Sequence, residues 1–298
     1  MSEEKFITKE FVKELLPKRK QDSHKGSYGS ILNIAGSVNY KGAAFLSSKA
    51  ALKIGAGYVT LASVEEVINS VSVLCPEVVC FPLKEKDETI LWKEYKKIIE
   101  ILPKYTVIQI GCGISSINRS QKNIEKFTEN ILKEITDFEN PVIIDADGLN
   151  IISKLKIKNL PKNTVLTPHA KELSRLLKVD VSEIQNNRKK FAKITAQEYS
   201  ATVVLKGHQS VITNGKEVFI NSTGNSALSK AGTGDVLTGM ISGLCSQGST
   251  TFDASLIGVY LHGLAGEIAS KDLTEYGLNA SELIEYIPQA IKKILVND

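Results

Sequence analysis

No run in this sequence approaches the ~18–20 apolar residues of a membrane-spanning helix. The opening Met1-Ser-Glu-Glu-Lys5 also lacks the apolar region of a signal peptide. No membrane partner is therefore expected. Cysteine is scarce: four residues, at 75, 80, 112 and 245, with no C-x-x-C pair and no metal-binding spacing. That pattern excludes a short disulfide framework and reads as free thiols in a reducing compartment, so the cytoplasm is the expected location. Net charge is small, +4 over 298 residues. This argues against nucleic acid as the main partner and fits a mildly positive site for small anions. No linker, low-complexity tract or internal repeat interrupts the chain, and a single domain over 1–298 is expected. A Walker A motif is missing. So is the Rossmann Gly-x-Gly-x-x-Gly, because Gly36 follows the first predicted strand without the required spacing. A P-loop enzyme and a hydride-transfer dehydrogenase are both disfavoured.

What is present is ordinary globular composition, 42% hydrophobic and 23% charged, on a chain long enough to bury a sizeable core. After a polar, Lys-rich stretch with one short amphipathic segment at 11–16, apolar runs alternate with helical patterns. Strands are predicted at 31–35, 58–62, 78–81, 106–110, 142–145, 165–167 and 202–206. Helices are predicted at 43–54, 93–102, 119–135, 148–154, 170–177 and 183–199, then 236–246, 253–271 and 280–295. Near-continuous apolar strands separated by helices indicate an α/β fold with a mostly parallel central sheet and helices on both faces. Residues 211–213 and 218–220 read as a small hairpin, with Asn214-Gly215 favouring a type I′ turn.

The most informative stretch is Asn221-Ser-Thr-Gly-Asn-Ser-Ala-Leu-Ser-Lys-Ala-Gly-Thr-Gly-Asp235, followed at once by an apolar helix. Free N–H groups at a helix start attract anions. Gly232 and Gly234 let a phosphate approach the backbone without a Cβ in the way. Asp235 is out of place beside a phosphate unless it takes a proton from an attacking hydroxyl. The plainer reading is a carboxylate that favours the first helical turn. The long Gly/Ser/Thr/Asn-rich approach favours the phosphate site.

Other polar motifs follow predicted strands, so they should gather beyond the carboxyl ends of the sheet. They are Gly36 to Gly42, Gly111-Cys-Gly113, Asp145-Ala-Asp-Gly148, Thr167-Pro-His169 and Lys206-Gly-His208. Each has a functional and a structural reading. Gly111 and Gly113 admit a ligand or form a tight turn; Cys112 lies near a ligand or is a small buried residue. Asp145 and Asp147 orient a metal or a ligand hydroxyl, or cap the next helix. His169 contacts a ligand or caps. Glu172 reaches a phosphate-bound cation through water, or complements the helix dipole. Lys206 counters phosphate charge, and Gly207 and His208 continue into a loop that covers a nucleotide. His262, inside a helix of small residues, reads as structural.

Several segments occur in one order: Lys25-Gly-Ser-Tyr-Gly29, Ile34-Ala-Gly-Ser37, residues 50–59, Ile144-Asp-Ala-Asp-Gly-Leu-Asn150, Leu166-Thr-Pro-His169 with Glu172 and Arg175-Leu176, and Ala231-Gly-Thr-Gly-Asp-Val-Leu237. Together they resemble the ADP/ATP-dependent (S)-NAD(P)H-hydrate dehydratase family of the ribokinase-like superfamily, from about residue 6 to the last helix. The resemblance implies a three-layer ribokinase-like fold and a stand-alone dehydratase with no epimerase domain ahead of it. It implies hydrated NADH or NADPH (NADHX, NADPHX) as substrate, ADP or ATP as cosubstrate, and Mg²⁺. It also implies a homo-oligomer, with a tetramer as one candidate. Carried over by position, the hydrate contacts Ala43, Gly111, Gly113, His169 and Asp235. The adenine nucleotide contacts Lys206, Gly207, His208, Gln209, Ser210, Asn225 and Gly234. Asp235 is the catalytic base, Gly232, Thr233 and Gly234 hold the phosphoryl charge, and Glu172 is the candidate metal residue. The rivals are a ribokinase-like kinase for a vitamin precursor alcohol such as hydroxyethylthiazole, and a nucleotide-sensing module without catalysis.

Overall fold

The computed structural model describes residues 5–117 and 119–296. Ten strands form one sheet: β1 (Lys5–Phe6), β2 (Ser30–Ile34), β3 (Tyr58–Val64), β4 (Val79–Leu83), then, after a separate two-stranded hairpin of β5 (Glu85–Lys86) and β6 (Thr89–Ile90), β7 (Val107–Ile110), β8 (Val142–Ile144), β9 (Thr164–Leu166), β10 (Thr202–Leu205), β11 (Val211–Thr213) and β12 (Val218–Ile220). Their order is β1-β12-β11-β10-β9-β8-β7-β2-β3-β4. From β10 to β4 every pairing is parallel; only β11 runs against its two neighbours.

The near-continuous apolar strands are explained by burial of both faces. Ile31, Val107, Ile143, Val165 and Val204 point into one core with the helices Thr233–Ser246, Thr251–Gly277 and Ala280–Leu295. Leu32, Ile108, Ile144, Leu166 and Leu205 alternate to the other face, under Glu65–Leu74, Lys122–Glu134, Asp147–Leu155, Ala170–Leu177 and Arg188–Tyr199. The helix Lys41–Ile54 packs against Thr233–Ser246 at backbone distance. A Cβ on Gly239 would stand 2.2 Å from the Ser47 carbonyl oxygen, and one on Gly243 2.2 Å from Ile54 Cγ2. This is the expected three-layer α/β arrangement.

Several details differ from the sequence reading. The β1 strand adds a parallel pair at one edge, Lys5 opposite Phe219 and Phe6 opposite Ile220; two residues are too few to show a period. The helix Glu65–Leu74 was not expected, because Val67, Ile68, Val71 and Val73 carry β-branched character in the stretch between two strands. The 183–199 pattern is two helices, Val181–Asn186 and Arg188–Tyr199, broken at Asn187 (φ −136°, ψ 42°). The hairpin turn is not type I′, which needs positive φ at both central residues. Only Gly215 takes it (φ 85°). Asn214 instead accepts the N–H groups of Lys216 and Glu217 on its Oδ1, closing a four-residue loop.

Candidate active site

The parallel register brings the polar strand-end motifs to one edge. Asp145 follows β8, Thr167 to His169 follow β9, and Lys206 follows β10, with His169 and Lys206 bridged as a continuation of the ladder. Gly36 and Gly111 end β2 and β7, and the Gly36 N–H donates to the Cys112 carbonyl. Two motif segments far apart in the chain also meet: Arg175 donates to Asn150 Oδ1 at 2.6 Å.

The glycine turn opens the helix Thr233–Ser246. Gly232 caps it at φ 89°, and a Cβ there would meet Leu46 Cδ1 at 2.6 Å. Any other residue would be strained there, and its side chain would have to displace the end of Leu46. The Thr233 hydroxyl is 2.9 Å from both the Leu228 and Lys230 carbonyls, which ties the approach loop to the helix start. Asp235 sits half-buried in the first turn. A Cβ on Gly234 would lie 3.4 Å from Lys206 Nζ, so the lysine flanks the turn.

Three carboxylates and one ammonium share this space. Lys206 Nζ donates to Asp145 at 2.7 Å and lies 4.0 Å from Glu172. Thr238 donates to the other Asp145 oxygen at 2.7 Å. Burial is the largest single influence on Asp145 and pushes its pKa up. The Lys206 charge and the Lys206, Thr238 and Thr167 hydrogen bonds outweigh it, so the carboxyl stays below its usual range. For Lys206, burial lowers the pKa, but Asp145 and Glu172 raise it above normal and keep it charged. Asp235 is pushed up to about 6, first by burial and then by the neighbouring Asp145 charge. Glu172 is pushed up to about 7 by burial. Its carboxylate accepts the His169 N–H at 2.8 Å while His169 Nδ1 accepts the Glu172 N–H at 3.1 Å, a capping box that starts the helix Ala170–Leu177. Burial and then Lys206 lower the His169 pKa.

Cys112, Asp145 and Asp235 place a sulfur and two carboxylates within 4.8 Å of one another. This set does not suit Mg²⁺. The thiol is fully buried and held protonated, and Asp145 is taken up by Lys206 and Thr238. Glu172, a hard oxygen donor, stands within 4.0 Å of Lys206. Its carboxylate is buried and engaged by the His169 N–H.

A cavity of ≈860 Å³ opens beside the turn, a volume suited to a small organic ligand. Of the sequence-predicted residues it is lined by His169, Lys206, Gly207, His208, Gln209, Ser210, Asn225, Thr233 and Gly234. Ala43, Gly111, Gly113, Glu172, Gly232 and Asp235 are not on its wall. Ala43 and Gly113 are neighbours, since a Cβ on Gly113 would meet Ala43 Cβ at 2.8 Å. Gly111 is accounted for by packing: at φ +127°, its Cβ would come within 2.0 Å of the Asp145 carbonyl oxygen. Asp235 thus stands between the cavity, reached through Gly234, and the 111–113 loop, reached through Cys112. Sequence reasoning passed over Thr238, which bonds Asp145, and read His262 as structural; His262 lines the cavity and bonds the turn. The small residues around His262, among them Gly258, Gly263 and Gly266, were an available sign that its helix approaches another backbone closely.

A family model described as NAD(P)H-hydrate dehydratase matches residues 31–289. The chain belongs to that family. It is 33% identical over 292 residues to the ADP-dependent (S)-NAD(P)H-hydrate dehydratase of Bacillus subtilis, covering 97% of this chain and 98% of that one. The crystal structure of an ADP/ATP-dependent NAD(P)H-hydrate dehydratase from Bacillus subtilis, co-crystallised with ATP and Mg²⁺, superposes with a TM-score of 0.84 at 33% identity, covering 99% of this chain and 100% of that one. A bifunctional NAD(P)H-hydrate repair enzyme from Thermofilum pendens is 36% identical over 94% of this chain. The chain spans about half the length of such bifunctional relatives, 53% in this case. No helix among the described residues is long and apolar enough to cross a membrane.

Proposed function

We propose that this chain restores NADH or NADPH from the S epimer of the hydrated cofactor at the expense of ADP or ATP. The observation that carries the proposal is the half-buried Asp235 carboxylate in the first turn after Gly232-Thr233-Gly234. Lys206 lies on one side and the 111–113 loop on the other. Family membership and the likeness to the Bacillus subtilis dehydratase support it.

Hydroxide is a poor leaving group from the reduced nicotinamide ring. Asp235 takes the proton of the ring hydroxyl as its oxygen attacks the terminal phosphorus of the nucleotide. The N–H groups of the 232–234 turn and the Lys206 ammonium hold the charge on the phosphoryl oxygens; losing one such donor typically costs ~10²–10³ in rate. The bond to the departing nucleotide breaks, leaving AMP from ADP or ADP from ATP. The ring nitrogen lone pair then expels phosphate, and loss of a proton from the adjacent ring carbon restores the dihydropyridine. Mg²⁺, when bound, would supply charge neutralisation on the phosphates, and Glu172 is the residue that would help hold it. The 206–210 loop and Asn225 line the nucleotide side, while Ala43, Gly113 and His169 border the hydrate.

The chain is read as one catalytic domain acting in the cytoplasm as a homo-oligomer, with a tetramer as the candidate state. Light scattering of the purified protein checks the last point. The kinase reading shares the phosphoryl-transfer half but stops at the phosphate ester. Hydrated NADH mixed with protein, Mg²⁺ and ADP or ATP should regain the NADH absorbance band, with phosphate released in step. No recovery with either nucleotide would overturn the dehydratase reading.

A further inference from the structure

His262 lies within the helix Thr251–Gly277, about 30 residues beyond the glycine turn, and is almost fully buried. This helix meets the cavity loop at backbone distance. A Cβ on Gly263 would be 2.2 Å from Thr223 Oγ1, and Thr223 donates to the Tyr260 carbonyl at 2.8 Å. Glu267 accepts the Gly224 N–H at 2.7 Å and Ser270 accepts from Asn225 at 2.8 Å. Against this rigid frame His262 Nε2 stands 2.9 Å from the Thr233 carbonyl oxygen. A carbonyl only accepts, so Nε2 carries the hydrogen. Burial lowers the His262 pKa to about 4, so the ring is neutral at physiological pH.

The consequence comes from the peptide bond. The Thr233 carbonyl and the Gly234 N–H belong to one planar unit, and the described residues contain no cis peptide. In a trans peptide these two groups point in opposite directions. A bond that draws the carbonyl toward His262 therefore aims the Gly234 N–H away from that helix. The Thr233 hydroxyl, tied to Leu228 and Lys230, fixes one end of the unit; its place in the first turn of the helix Thr233–Ser246 sets its rotation in part, and the His262 bond adds to that.

We propose that His262 is a positioning residue for phosphoryl transfer: by donating from Nε2 to the Thr233 carbonyl, it sets the direction of the Gly234 N–H that receives phosphoryl charge. The assignment rests on the reading of the 232–235 turn as the phosphoryl-transfer site. His262 touches neither nucleotide phosphate nor hydrate in this role. Its effect falls on an interaction that strengthens in the transition state, so it should appear in kcat and not in KM.

The test compares His262→Leu, which fills the space without a donor, with His262→Gln, which keeps an N–H donor. Circular dichroism and thermal melting establish folding. Expected for Leu are KM values for ADP and hydrated NADH within about threefold of wild type and a kcat lower by ~10²-fold. Gln should recover at least about tenfold of that loss. A folded Leu variant with kcat within twofold of wild type overturns the assignment, as does a Gln variant as slow as Leu. If Leu does not fold, a folded Gln variant that loses ~10²-fold in kcat overturns it on its own, and one that keeps most of its kcat supports it. A second arm measures affinity for AMP and for ADP, each with aluminium fluoride as a mimic of the transferring phosphoryl group. Leu should weaken the fluoride complex at least tenfold with nucleotide affinity unchanged, and Gln should not. This arm uses no hydrate, so a wild-type chain that fails to repair hydrated NADH overturns the dehydratase reading separately.

Discussion

Lys206 Nζ donates to the Asp145 carboxylate at 2.7 Å, joining the ends of β10 and β8 across the end of β9. The Asp145 side chain is almost wholly shielded, at 2% exposure, and Lys206 is at 18%. The pair therefore works in a low-dielectric setting, where removing one partner costs more than the pair contributes.

Lys206→Met should lower unfolding stability by ~3–5 kcal/mol at pH 7, because it leaves Asp145 buried and unpaired. Adding Asp145→Asn to it should recover part of the loss, since the uncompensated charge is gone. Urea unfolding of the three variants measures this. A single variant within about 1 kcal/mol of wild type would show that water or another group compensates Asp145.

Asp235 must be unprotonated to act as a base, and burial pushes its pKa up to about 6. The kcat/KM for hydrated NADH should be level above that value and fall about tenfold per pH unit below it. Asp235→Asn should remain folded, bind nucleotide and lose at least ~10²-fold in kcat. Near-normal turnover in Asn removes Asp235 as the base.

Glu172 gives a stability trend of opposite sign to a surface carboxylate. Burial raises its folded pKa to about 7 from an unfolded value of 4.5, so the folded state binds the extra proton between those two values. That contribution is fully present below pH 4.5 and is lost as pH rises through about 7. Glu172→Gln keeps an acceptor for the His169 N–H and has no proton to lose. Its stability relative to wild type should grow across that window by roughly 1–3 kcal/mol and level off above it. A difference that stays flat from pH 4 to 8 would mean Glu172 ionises normally.

Gly239→Ala tests the closeness of the two small-residue helices. The new methyl would stand 2.2 Å from the Ser47 carbonyl oxygen and 3.0 Å from Ala50 Cβ. Both contacts are on the rigid helix Lys41–Ile54, so the cost should be at least ~1–3 kcal/mol. The shift would also reach the turn through Leu46, which packs on Gly232. A wild-type melting temperature would place the helices further apart than described.

Much of the fold was readable because it is local. Strands buried on both faces show as apolar runs, and the helices Ala170–Leu177 and Ala280–Leu295 fall where their spacing put them. The helix of the glycine turn begins at Thr233 rather than 236, because a turn of Gly, Thr and Asp has no apolar period even when it is helical. The break at Asn187 is a single backbone conformation inside a continuous pattern. Around the site, residue types at the strand ends were enough to nominate His169, Lys206 and the 232–235 turn. They did not reveal that Gly111 is required for packing on Asp145, or that His262 reaches Thr233.

The sequence by itself determined the α/β class, the phosphate-type turn and the family, since each depends on period, steric permission or motif order within short stretches. The tertiary structure alone decided which carboxylate is ion-paired and which is not. Asp145, Glu172 and Asp235 are equivalent acids in the chain, and their different proton affinities arise from burial and from distance to one ammonium on a strand end 61 residues beyond Asp145. Electrostatic energy depends on separation and solvent access, and neither is a property of a residue's neighbours in sequence.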